Sequence, residues 1–73
     1  MDSTNMKYMK VTSYETDPIV VSYIKISEIQ CLSVSVSDNG DVLMPAVVKF
    51  INGSELEIDD ESYRKLKKEL WGI

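Results

Sequence analysis

Apolar and polar residues alternate along most of this chain, and the spacing turns helical only near its end. The cleanest alternation covers residues 30–37, where Leu32, Val34 and Val36 are separated by Ser33, Ser35 and Ser37; it predicts a strand with one packed and one wet face. Residues 7–14 are rich in strand formers and predict an earlier strand, with Met9 and Val11 on one side and Tyr8, Thr12 and Tyr14 on the other. Residues 15–18 end in proline and predict a turn. Residues 19–26 then predict a strand apolar on both faces, with Val20, Ile24 and Ile26 opposed by Ile19, Val21 and Tyr23. Ser27 and Glu28 interrupt the pattern between Ile26 and Ile29, which suggests a single turn capped by Ser27. After a loop at residues 38–41, Val42-Leu43-Met44 leads into Pro45, which has no N–H for a sheet ladder and marks an edge, a bulge or the true start of a strand.

The stretch 46–71 organises the rest. Val48 and Phe50 before Asn52-Gly53, and Leu56 and Ile58 after it, predict a β-hairpin. A two-residue loop would set Phe50 against Glu55 and Lys49 against Leu56, mixing charge and apolar groups on both faces. A three-residue loop, Ile51-Asn52-Gly53, with glycine in the left-handed region of a bulge, sets Val48 against Leu56 and Lys49 against Glu55. The bulged loop is therefore expected, with Gly53 its least replaceable residue. Asp59, Asp60 and Glu61 suit a helix N-terminus, Gly72 suits its stop, and Tyr63, Leu66 and Leu70 form an apolar stripe that Trp71 widens. Lys65 can pair with Glu61 and with Glu69.

The elements sum to an α+β fold: an antiparallel β-meander of about five strands, as an open sheet or a small barrel, with one C-terminal helix. Residues 1–6 read as a disordered start and residues 7–73 as a single domain. A chain of 73 residues has room for only a small core, and its one cysteine and lack of histidine leave neither an intrachain disulfide nor the commonest zinc ligand to reinforce it. Self-association is the expected remedy. The lone Cys31, the polar N-terminus and the absence of any run near the roughly 20 apolar residues of a membrane span point to a cytoplasmic protein with no membrane partner. A net charge of −4 disfavours broad affinity for nucleic acid.

Candidate chemistry is sparse. Cys31 lacks a histidine base and reads as a half-buried strand residue rather than a nucleophile. Asp38, Asn39 and Asp41 lack the third acid and distal glutamate of a calcium loop and read as a turn. Asp59, Asp60 and Glu61 read as a cap rather than a metal cluster. No metal, cofactor or catalytic residue is expected. Arg64, Lys65 and Lys68, with Lys67, offer a basic helix face for nucleic acid, a nucleotide ligand or an acidic partner, although Glu61 and Glu69 dilute its field. More telling are apolar residues that one helix cannot cover: Leu43, Met44, Val47, Ile51 and Trp71, which are the expected contacts with a protein partner or a second copy.

Met-Lys-Val-Thr at 9–12, Ile-Ser-Glu-Ile at 26–29, Phe-Ile-Asn-Gly at 50–53 and Glu-Ser-Tyr-Arg-Lys-Leu at 61–66 resemble the small FlbD-like proteins linked to bacterial flagellar and swarming motility. The similarity covers most of residues 9–70 and departs around residues 38–45 and at the longer N-terminus. It implies a small, non-enzymatic, cytosolic accessory protein and carries no functional residues over. The expected function is thus a non-catalytic protein-binding or regulatory module that self-associates, with nucleic-acid or nucleotide-ligand binding as the alternative.

Overall fold

The computed structural model describes residues 7–72; the expected disordered start at 1–6 lies outside them. Five antiparallel strands and a C-terminal helix make an α+β fold: β1 (Tyr8–Thr12), β2 (Val21–Lys25), β3 (Ile29–Val36), β4 (Val42–Phe50), β5 (Glu55–Ile58) and α1 (Asp60–Trp71). The strands form two open sheets rather than one, β1-β2 and β3-β4-β5, and no barrel closes. The division falls at the interruption between Ile26 and Ile29, where a 3-10 turn, Ile26–Glu28, turns the chain before β2 and β3 can pair. Ser27 lies inside that turn and does not cap it; Lys25 holds the cap position without a side-chain bond.

Strands β1 and β2 are both shorter than their patterns suggest, for a local reason. The Ser13 N–H donates to Val20 O (2.9 Å), but the Val20 N–H donates to the Ser13 hydroxyl (2.9 Å) instead of a carbonyl, which ends the β1-β2 ladder. Ile19 and Val20 are left in the loop, and Glu15 turns through a left-handed φ of 50°. Ser13 bridges to Ile58 and the Asp59 N–H donates to Thr12 O (3.0 Å), so the end of β1 meets the end of β5 and joins the two sheets.

The two hairpins of the larger sheet are closed alike. The Phe50 N–H donates to Ser54 O (2.9 Å) and the Gly53 N–H to Phe50 O (2.9 Å); the Ser37 N–H donates to Asp41 O (2.8 Å) and the Gly40 N–H to Ser37 O (2.9 Å). Both glycines have φ near 90°. The pairing across the first of these turns is Val48 with Leu56 and Lys49 with Glu55, as parity requires. Pro45 lies in the middle strand at a register shift between Ser33 and Ser35 of β3, so its missing N–H falls where the ladder is already broken.

The core is Val11, Ile24, Ala46, Val48, Ile58 and Leu66, one contribution or more from each of β1, β2, β4, β5 and α1, with Leu32 and Val34 of β3 packed against it. Helix α1 lies antiparallel to β1: Thr12 is bonded to Ser62 at one end, and Lys7 is paired with Glu69 at the other. Asp59 caps the helix by accepting the Ser62 N–H (2.9 Å), and Gly72 ends it in the left-handed conformation.

Candidate interaction surface

The face of α1 turned to the core holds Ser62 and Leu66, with Tyr63 and Leu70 half-buried. The opposite face carries the basic residues, and most of their charge is met locally. Arg64 pairs with Asp60 (2.9 Å) and Lys65 with Glu61 (3.5 Å), while Glu69 is taken by Lys7 rather than Lys65. Lys67 lies over the Tyr63 ring, 5.2 Å from its centre. Lys68 stands in the last turn, where a cation suits the carbonyl end of the helix.

The five apolar residues expected at a partner surface do not share one face. Leu43 and Val47 lie on the outer side of the larger sheet, opposite Ser35 and Ser33. Met44 turns inward and packs against the core. Ile51 is exposed at 66% in the hairpin turn and Trp71 at 56% in the last turn of α1. Lys7 is paired with Glu69, Lys7 O accepts the Ile26 N–H and Glu28 O accepts the Ile51 N–H, so Ile51 and Trp71 belong to the same end of the molecule. Leu43 is at the other end of β4, opposite Ser35 near the Gly40 turn.

The smaller sheet presents a face that parity alone did not single out. Its outer side pairs Tyr8 with Lys25, Lys10 with Tyr23 and Thr12 with Val21, so two exposed tyrosines alternate with two lysines and no acid intervenes. Ile19 and Val20, both exposed, extend it into the loop. In the sequence these residues belong to two apparently ordinary strands; only the cross-strand register brings them together. Nearby, the Glu15 carboxylate raises the Tyr14 phenol above its usual pKa of 10.0, with smaller contributions from desolvation and a hydrogen bond from the phenol to Glu15.

Among the described residues no pocket opens and no three Cys, Asp or Glu side chains gather closely enough to hold a metal ion. Nor is any helix there long and apolar enough to cross a membrane. Cys31 is exposed on the wet face of β3, 3.9 Å from the Ser33 hydroxyl, not half-buried as its alternation suggests. Asp38, Asn39 and Asp41 form the turn of the β3-β4 hairpin. The fold and surface thus define a small two-sheet α+β domain whose distinctive groups lie on exposed faces, edges and turns. Comparison with protein-family models, curated proteins and solved structures finds no match.

Proposed function

We propose that this protein is a non-catalytic, cytoplasmic protein-binding or regulatory module that associates with itself. One observation carries the reading: among the described residues, more large apolar side chains lie exposed than buried, and they sit on both sheets, a turn and the helix end. Single exposed hydrophobics are ordinary, but a core this small gains from covering several of them at once. Light scattering behind size exclusion tests it: the protein should run as a dimer or larger species that dissociates on dilution, and a monomer at every concentration would refute self-association. Ile51→Lys, at a residue two-thirds exposed, should leave the far-UV circular dichroism unchanged and weaken any contact made at the Ile51-Trp71 end.

The alternation of Tyr8, Lys25, Tyr23 and Lys10 supports a second reading, binding of a nucleic acid or nucleotide ligand. On that reading β1-β2 rather than the helix would make the contact, a choice supported by Arg64 and Lys65 already facing carboxylates. A salt-sensitive gel shift with single-stranded DNA, lost in Tyr23→Ala with Lys10→Glu, is the result expected of it. The FlbD-like pattern adds motility as the process in which to seek a partner, tested by swarming of a deletion strain.

A further inference from the structure

The main-chain bonds of the larger sheet leave one edge unused. Phe50 directs its N–H and C=O toward Ser54 and Gly53 of the β4-β5 hairpin, so Lys49 and Val47 direct theirs toward β3, onto Cys31 and Ser33. Ser37 likewise bonds across to Asp41 and Gly40. The odd-numbered residues of β3 therefore face β4, and Leu32, Val34 and Val36 present their N–H and C=O groups to the open side. Among the described residues no strand pairs there.

The other edges are guarded. Strand β5 carries Glu55 and Glu57 and is bridged by Ser13; β1 is met by Ile58 and Asp59; β2 has five residues and ends in Lys25. Residues 29–37 contain no charge, proline or glycine, in a chain whose net charge is −4. Two copies can meet along this edge without opposing like charges, which β5 does not allow.

We infer that the outer edge of β3 is the self-association surface, and that two copies pair β3 antiparallel about a two-fold axis with Val34 opposite Val34. This deepens the self-association proposed above and rests on it. In that register Val34 bonds to Val34, and Leu32 to Val36 of the second copy. Side chains match on both faces. On the inner face the apolar row Leu56, Val48, Leu32 of one copy runs on into Val36 and Val42 of the other, and Val36, 58% exposed in the single chain, gains a neighbour. On the outer face Ser33 meets Ser35, and the row Glu55, Lys49, Cys31 continues into Ser37 and Asp41 of the other copy, so that no two like charges become neighbours across the pairing. The product is a continuous six-stranded sheet.

Sedimentation over a concentration series, on the full chain, tests the register. Ser33→Lys with Ser35→Lys opposes lysines across the axis and should weaken the dimer at least tenfold; Ser33→Lys with Ser35→Glu opposes lysine to glutamate and should restore it. An unchanged dimer in the first variant overturns the β3 assignment while leaving self-association standing, whereas a wild-type monomer at millimolar concentration overturns both. A cysteine scan guards against misfolding of the charged variants. Ser37→Cys places a thiol directly opposite Cys31 of the second copy, and oxidised glutathione should convert it to a disulfide-linked dimer; Ser35→Cys should not cross-link. Equal cross-linking of the two, or none in Ser37→Cys, rejects the register.

Discussion

Ser62 is only 4% exposed and is the one buried polar residue among the described residues. Its hydroxyl accepts the Thr12 N–H (2.8 Å), while its own N–H goes to the Asp59 carboxylate (2.9 Å). A short polar residue at the third position of a helix ordinarily reads as neutral filler; here it ties α1 to the end of β1. Ser62→Ala leaves the Thr12 amide unpaired in a partly buried site and should lower unfolding free energy by about 1–3 kcal/mol in urea titrations. Gly53 presents the opposite case, legible from its turn alone. An added Cβ would meet nothing within 4 Å, so only its φ of 92° is at stake. Gly53→Ala should therefore destabilise by about 1–2 kcal/mol, with the loss confined to backbone strain.

Among the elements, α1 is the one whose ends and inner face were all set by local chemistry: aspartate at the cap, glycine at the stop, and Leu66 buried between. Twelve residues are too few for a helix to be stable alone, so its docking on β1 and β4 supplies what propensity does not. The cap outweighs the surface ion pairs. Asp59→Ala should cost about 1 kcal/mol in thermal or urea unfolding, whereas Arg64→Ala, which loses only an exposed pair to Asp60, should change stability by less than about 0.5 kcal/mol. The β3-β4 hairpin shows a different economy. Near its Gly40 turn Val36, Val42 and Leu43 are exposed, and β5 pairs only with residues 46–49 of β4, so this arm is two-stranded and lies outside the core. The alternation of β3 predicts a packed face along its whole length; the outer third lacks anything to pack on within one chain.

For the whole molecule, the imbalance between buried and exposed apolar groups ties stability to concentration. If copies associate as proposed, a tenfold rise in protein concentration should raise the apparent melting temperature by about 3–5 °C, measured by circular dichroism; a midpoint independent of concentration would go against the self-association reading. The way the strands divide also bears on where association occurs. A single closed barrel would have no free edge, whereas two open sheets joined by one bridge leave the uncharged edge of β3 unpaired.

The sequence by itself determined the larger sheet's second hairpin and the bounds of the helix, features governed by neighbours within a few residues, though not the cap at Ser27 or the early end of the β1-β2 ladder. Glycine at positive φ fixed the β4-β5 turn at Gly53, parity fixed the Val48-Leu56 and Lys49-Glu55 register, and aspartate and glycine bounded the helix, because each depends on local sterics or the period of a strand. The α+β class and the count of strands followed. Tertiary structure alone decided how the strands divided and what the outer faces became. The split into two sheets depends on the turn at Ile26–Glu28 and on Thr12 meeting Asp59 and Ser62, contacts between residues some fifty positions apart. The same is true of the five expected partner contacts, scattered because Met44 turns inward beside the Pro45 register shift, and of the Tyr-Lys face, which exists only once β1 and β2 are paired. Periodicity assigns a residue to one of two sides; which side is covered depends on the elements that pack against it.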